Sequence, residues 1–322
     1  MEKRKLGRSG LDVSNLCFGG NVLGWTADEP TSFKLLDAFV AAGGNFIDTA
    51  DVYSRFAPGL QGGESETVLG KWFKQRGNRR QIVLATKVGM DMGPSGKGLS
   101  RKHIHESVEN SLRRLQTDYI DLYQSHTDDQ TVPLEETLGT YAELIHQGKV
   151  RAIGASNYQA DRLLQALQVS EQHGYPRYES LQPLYNLYDR EDYEKELEPL
   201  CVKYGLGVIT YFSLASGFLS GKYRSEKDLE NKARGNFVQK YLNPRGYRIL
   251  AALDEVAKEY HASPTQISLA WLLARPSVTA PIVSATSLNQ LDEIIKAADI
   301  KLDPAAIERL NQASAVGEKS PY

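Results

Sequence analysis

Short apolar segments recur along this chain at nearly even spacing, and that rhythm limits the available folds more than any other feature. The candidate strands are Leu16–Gly19, Asn45–Thr49, Ile82–Lys87, Ile120–Ser125, Arg151–Ala155, Ser180–Pro183, Gly207–Tyr211 and Pro281–Ser284. Successive starts among the first seven lie 27 to 38 residues apart, about the length of one strand-helix-strand crossover. Runs such as I-V-L-A-T and I-D-L-Y are nearly continuous rather than alternating, which suits a parallel sheet covered on both faces.

The intervals read as helices. Thr31–Ala42 carries Phe33, Leu36, Phe39 and Val40 at helical spacing. Arg101–Leu115 follows Ser100, an N-cap residue, and places Ile104, Val108, Leu112 and Leu115 on one face. Leu134–His146 starts after Pro133 and stops at Gly148. Between the seventh and eighth strands the rhythm breaks, with a Gly/Ser-rich turn, a polar stretch at 223–235 and helices near Pro244–Tyr260 and Pro264–Leu273; an insertion that long usually serves function. Leu6–Ser14 reads as a hairpin ahead of the first strand.

Eight strands alternating with helices predict an α/β fold, a (β/α)8 TIM barrel with an N-terminal hairpin and a long loop after strand 7. A doubly wound open sheet competes, but no G-x-G-x-x-G follows any strand. The 322 residues would allow two domains. No composition shift marks a linker, so the expectation is one domain over 1–322.

Composition narrows the function classes. Thirty-eight Lys and Arg face 40 Asp and Glu, a formal charge of −2, so nothing draws the chain generally to nucleic acid or an anionic membrane. No apolar run approaches the ~18 residues of a membrane span, and the basic first residues are not followed by a signal-peptide core. Cys17 and Cys201 show neither metal nor disulfide spacing. These features predict a soluble, cytoplasmic protein without a bound metal.

In a barrel, chemistry belongs to the C-terminal ends of the strands. The second strand ends N-F-I-D-T-A-D-V-Y, placing Asp48 at its end and Tyr53 just beyond. The third ends A-T-K-V-G with Lys87, and the fourth Y-Q-S-H-T with His126. Taken singly, each has a structural explanation: a loop cap, one of 17 tyrosines, a snorkelling lysine, a satisfied histidine. Together they are harder to explain that way, because Asp and Lys are disfavoured in apolar parallel strands unless paired. A phenol of pKa about 10 is a poor acid at neutral pH; a nearby lysine cation, held by an aspartate, is expected to lower it. A histidine beside them can orient a carbonyl oxygen, which completes the equipment for protonating a carbonyl as hydride arrives.

At this point the sequence resembles the aldo-keto reductase superfamily through most of its length. The matching segments are F-I-D-T-A-D-V-Y at 46–53, G-G-E-S-E-T-V-L-G-K at 62–71, A-T-K-V at 85–88, Y-Q-S-H at 123–126, I-G-A-S-N-Y at 153–158, Y-F-S-L-A-S-G-F-L-S-G-K-Y at 211–223 and A-T-S-L-N-Q-L-D-E at 285–293. The resemblance implies Tyr53 as general acid/base, Lys87 and Asp48 as its activating pair, and His126 as the carbonyl-orienting residue. It implies NADP(H) bound in extended form without a Rossmann fold. Gly20, Asn21 and Asp48 would belong to the cofactor site; Ser156 and Asn157 would hold the nicotinamide carboxamide, with Gln182 beside it and Tyr211 stacked on the ring. Ser213, Leu214, Ser216 and Lys222 would line the pyrophosphate, with Arg234 reaching in from the long loop. Ser284, Ala285, Thr286, Gln290 and Glu293 would surround the adenosine 2′-phosphate end, near a helix N-terminus at Leu288. Many relatives carry Gly-Ala-Arg or Gly-Ala-Ser where this chain has Ser284-Ala285-Thr286, and Ile294 stands where an Asn is frequent, so an arginine fork on the 2′-phosphate is missing at its usual place.

The implied activity is NADPH-dependent reduction of a small-molecule aldehyde or ketone, with Trp25, Tyr53 and His126 in the substrate pocket. Trp25, Phe56, Phe218 and Phe237 fall in the expected mouth loops and could form an apolar substrate wall, with core or rim packing the alternative for each. Two other readings remain open. One is a Schiff-base aldolase using Lys87 as nucleophile, which borohydride trapping would reveal. The other is an NADP(H)-binding redox sensor akin to potassium-channel β-subunits. His103 and His105 form H-x-H, but positions i and i+2 of a helix do not share a face. Arg79-Arg80 and Arg113-Arg114 read as solvated surface pairs.

Overall fold

The eight recurring segments close into a barrel. The structure, a computed structural model, describes residues 1–55, 57–229 and 235–316; Arg234 and Phe56 lie outside these. A two-stranded antiparallel hairpin, β1 (Lys3–Lys5) and β2 (Asp12–Ser14), precedes the barrel strands. These are β3 (Cys17–Gly19), β4 (Phe46–Asp48), β5 (Val83–Val88), β6 (Ile120–Ser125), β7 (Val150–Ser156), β8 (Tyr178–Gln182), β9 (Gly207–Thr210) and β10 (Ala280–Val283). They run in sequence order around a closed ring in which β10 pairs with β3, and every pairing is parallel.

Helices cover the outside: α1 (Glu29–Ala41), α2 (Glu64–Arg76), α3 (Arg101–Leu115), α4 (Leu134–His146), α5 (Ala160–His173), α6 (Glu198–Tyr204), the short α7 (Gly235–Val238), α8 (Pro244–Glu259), α9 (Pro264–Leu273), α10 (Leu288–Lys296) and α11 (Pro304–Ser314). Their ends show why the chain turns where it does. Asp28, Ser100, Asn243, Ser263, Ser287 and Asp303 each accept a backbone N–H in the first turn of a helix, satisfying donors that the helix itself cannot.

Among the described residues the buried apolar side chains form two cores. The larger lies between barrel and helices; the smaller fills the barrel's N-terminal half with Leu6, Leu11 and Val13 of the hairpin against Phe46, Val83, Ala85 and Leu122. The long loop after β9 contains a run of 3-10 turns at Ala215–Ser220 before α7.

Boundaries differ from the expectation where charge hides burial. Strand β8 begins at Tyr178, two residues early, because Tyr178 is buried while its neighbours Arg177 and Glu179 form an ion pair. Strand β1 is K-R-K, with no apolar signal, and forms because Leu6 and Leu11 beside it plug the barrel floor. The supposed surface arginines also divide. Arg79 donates to the Tyr119 and Ile82 carbonyls and pairs with buried Asp121, while Arg114 pairs with buried Glu66. Phe218 is fully buried against Tyr188 and Tyr241, not part of a mouth wall. Phe237 is 63% exposed.

Candidate active site

Side chains alternate across a strand, so each barrel strand sends every second residue inward. The inward series become polar toward the C-terminal ends: Phe46 then Asp48, Val83 and Ala85 then Lys87, Leu122 then Gln124. Register places Asp48 opposite Ala85 and Lys87 opposite Gln124. The polar ends therefore meet at one level.

There Lys87, fully buried, donates to Asp48 Oδ2 at 2.6 Å, to the Thr49 carbonyl at 2.9 Å and to the Tyr53 hydroxyl at 2.8 Å. Tyr53 in turn donates to Asp48 Oδ2 at 3.0 Å. The other Asp48 oxygen accepts from Gln182 Nε2 at 2.9 Å and Gln124 Nε2 at 3.2 Å. The carboxylate is thus saturated and the lysine's three donors are all used. His126 stands edge-on to the Tyr53 ring, centroids 6.0 Å apart. All four residues named from the sequence come together.

Gln124 is the member that sequence reasoning missed. The signal was available: a glutamine two residues after Leu122 and two before His126 in β6, and so on the inward face.

The electrostatics correct one expectation. The Tyr53 phenol is pushed up, not down, first by burial of its hydroxyl and then by the Asp48 carboxylate. It keeps its proton at neutral pH. His126 is pushed well below the usual imidazole range by burial and by the Lys87 cation, so its ring is neutral. Its Nδ1 is buried without a hydrogen-bond partner among the described residues, which leaves Nε2 as the nitrogen available to a ligand.

The loop carrying Tyr53 is pinned from below. Thr49 N–H donates to the Ala85 carbonyl at 2.8 Å, and the Thr49 and Ser65 hydroxyls share a bond of 2.8 Å. Ser65 also donates to the Gly20 carbonyl at 2.7 Å. A Cβ at Gly20 would sit 2.9 Å from the Asp48 carbonyl and from Ser65 Oγ, so glycine there permits the loops to close on one another.

Beside this cluster, Asn157 adopts a left-handed backbone (φ 55). Its amide donates to the His126 carbonyl at 2.9 Å and accepts from the Tyr211 hydroxyl at 2.8 Å. Ser156 donates to the Gln182 carbonyl. Beyond Tyr211 the backbone turns left-handed at Phe212, Ala215, Ser216 and Gly217; such turns aim successive N–H groups at one point and make anion cradles. A Cβ on Gly217 would lie 3.2 Å from Lys222 Nζ, so a cation stands over that turn. Ser213 hydrogen-bonds Thr210, and Leu214 packs on the core.

Farther out, Ser284 donates to Asn21 Oδ1 at 2.6 Å, Gln290 accepts from Thr286 N and Oγ1, and Glu293 accepts from Ser263 at 2.5 Å. Ala285 is buried. Trp25 borders a cavity of about 400 Å³ with Gly24, Asp28, Glu29 and Glu64; none of the four clustered residues lines it.

A tyrosine ring flanked by an amide, a left-handed turn under a lysine and a capped helix end suit, in turn, an aromatic amide, a diphosphate and a further phosphate. The donor set therefore fits an extended nicotinamide dinucleotide.

A parallel (β/α)8 barrel with a Tyr-Lys-Asp-His cluster at its C-terminal mouth defines a class of barrel oxidoreductases. The sequence model of the Aldo/keto reductase family matches residues 15–315, and the chain belongs to that family. It is 36% identical to an uncharacterized oxidoreductase of Bacillus subtilis (strain 168), over 97% of this chain and 95% of that one. It is also 36% identical to a probable voltage-gated potassium channel subunit beta of Oryza sativa subsp. japonica (96% and 95%). An NADP(+) aryl-alcohol dehydrogenase of Phanerodontia chrysosporium is 33% identical (97% and 86%). Family and relatives support an oxidoreductase that uses NAD(P)H on small carbonyl compounds. Among the described residues, no helix is long and apolar enough to cross a membrane.

Proposed function

We propose that this protein reduces aldehydes or ketones with NADPH, residues 1–322 acting as one domain in the cytoplasm. The observation that carries the reading is the Tyr53 hydroxyl, held at 2.8 Å from the Lys87 cation and 3.0 Å from Asp48 beside a neutral imidazole. When bound, the reduced nicotinamide supplies the hydride. His126 Nε2 orients the carbonyl oxygen. Tyr53 keeps its proton in the resting site, turns its O–H from Asp48 to that oxygen and releases the proton as charge grows there. Lys87, fixed by Asp48 and the Thr49 carbonyl, stabilises the phenolate left behind. Gln124 and Gln182 hold Asp48 so that the lysine stays in place.

Ser156, Asn157 and Tyr211 would hold the nicotinamide end, the turn at 213–217 with Lys222 the diphosphate, and Thr286 with the first turn of α10 the adenosine phosphate. The NADP(+) in one relative's name supports this cofactor. Thr286 offers a hydroxyl and not a guanidinium fork, so the preference over NADH is modest.

A panel of aldehydes and ketones followed by NADPH absorbance tests the proposal. Oxidation of NADPH by the parent but not by Tyr53→Phe supports it; no turnover of any carbonyl refutes it. The relatives named channel subunit beta favour a second reading, a cofactor-binding sensor with little turnover. Tight NADPH binding without carbonyl turnover would establish that one.

A further inference from the structure

Asp51 lies two residues before Tyr53, behind the cluster, and the reaction as read above does not use it. Its N–H donates to the Lys87 carbonyl at 3.4 Å, so the tyrosine loop joins the lysine strand at this residue. Asp51 is 2% exposed, and among the described residues no side chain hydrogen-bonds either carboxyl oxygen; the backbone N–H of the next residue, Val52, is the one donor acting on it. The hydroxyls of Ser54 and Tyr123 are likewise buried without partners.

The groups around Asp51 determine its charge. Glu66 of α2, Arg114 of α3 and Lys87 of β5 act on it electrostatically, and it acts on Tyr123 of β6 and Tyr141 of α4. The nearby cations are already paired. Arg114 Nε is 2.7 Å from Glu66 and Thr86 Oγ1 is 2.6 Å from it, while Lys87 belongs to Asp48. With each cation matched to another carboxylate, a third buried negative charge would have no compensation. Burial and the Glu66 carboxylate push the Asp51 acid up to about 8.

We propose, on the basis of the reductase reading, that Asp51 is a positioning residue: a neutral carboxylic acid wedged behind the catalytic cluster that keeps the 49–55 loop seated so that Tyr53 meets Lys87 and Asp48. When its proton is lost, the new carboxylate is buried and repelled by Glu66, and the loop shifts to reach water. The tyrosine shifts with it.

The test compares the parent with Asp51→Asn, which presents a neutral group of the same shape, and Glu66→Gln, which removes the opposing charge. Three readouts are taken from pH 5 to 9.5: kcat with NADPH and the best aldehyde, amide exchange of residues 49–55 corrected for its intrinsic pH dependence, and melting temperature. In the parent, kcat falls above pH about 8, approaching roughly tenfold per pH unit as for one essential protonated group, and loop protection falls with it. Asp51→Asn keeps both through pH 9, and Glu66→Gln moves the fall to lower pH.

The native state holds a proton that the unfolded chain releases above about pH 4. Folding therefore binds a proton between pH 4 and 8, and parent stability declines there as pH rises. The gap in melting temperature between Asp51→Asn and the parent widens over that window.

A gap constant with pH overturns the proposal, as does an unchanged alkaline fall in Asp51→Asn. If no carbonyl is turned over, the reductase reading fails alone, and exchange and melting still decide whether Asp51 seats the loop. Should Asp51→Asn not fold, the direction of the shift in Glu66→Gln decides.

Discussion

The two ends of the barrel are built from the same strands and solve opposite problems. At the N-terminal end, Phe46, Val83 and Leu122 face inward and the hairpin's Leu6, Leu11 and Val13 pack on them. Two residues farther along β4 and β6, and four along β5, the inward positions are Asp48, Gln124 and Lys87. One end excludes water with shape alone; the other buries charge and must satisfy each donor and acceptor. A parallel barrel gives both because side-chain alternation preserves the inward face while the chain moves from floor to mouth. The floor can exchange one apolar side chain for another if volume is kept, whereas each polar group at the mouth depends on its partners.

The sharpest way to break this division is Tyr53→Phe. Loss of the proton should slow single-turnover hydride transfer by roughly 10²–10⁴-fold, with NADPH affinity by fluorescence nearly unchanged. Lys87→Met should match it, and the double variant should cost little more, since the two act as a unit. A Tyr53→Phe protein near the parental rate would remove the assignment.

At the floor the expected effect is on folding. Phe46→Ala should lower stability by about 3–5 kcal/mol in chemical denaturation, while the rate of hydride transfer per folded molecule stays close to the parent's. A large rate defect would mean that floor packing sets the mouth geometry and that the two ends are not separable.

Gln182→Leu sits between these cases. It removes one of the two amide donors to Asp48 Oδ1, and leaving a buried acceptor underbonded costs about 1–3 kcal/mol. Denaturation should show that loss, together with a smaller fall in turnover as Lys87 loosens.

The mildest effect concerns pH. His126 is neutral in the fold, its imidazole held below its unfolded value by burial and Lys87. As pH drops below about 6.5 the unfolded chain binds a proton that the native state refuses, so stability falls by at most about 1.4 kcal/mol per pH unit. His126→Gln should flatten that portion of the melting profile; an identical slope would place the charge elsewhere.

Much of the site was legible because its chemistry sits at strand ends, where period-two alternation and the barrel rule act together. Asp48, Lys87 and His126 end apolar runs, so their placement follows from the pattern. The ends of α3, α4 and α9 were equally readable, since Ser100, Pro133, Pro264 and the following breakers mark them. What stayed hidden depends on partners distant in sequence. Arg79 and Arg114 look like solvent residues until Asp121 and Glu66 are brought to them. The π-helical turn at Tyr193–Leu197 is written Y-E-K-E-L, three charged residues between a buried tyrosine and a leucine. The sign of the Tyr53 shift also needed the fold, because the lysine's pull is visible in sequence while enclosure of the hydroxyl is not.

Arg4 in the hairpin donates to the carbonyls of Leu273 and Val278, and Lys3 to that of Gly43. Asn45, one residue before β4, exchanges bonds with Ser14 and donates to the Asp12 carbonyl. The hairpin thus clasps the seam where the last strand meets the first. Its anchor points near residue 275 are synthesised long after Arg4 itself, so this early segment can reach its final place only when nearly the whole ring exists. Its docking is a late, long-range closure of the kind that slows folding. Until β10 pairs with β3, each of those strands has an unpaired edge, the kind of exposure that invites mispairing and that a chaperone can shield.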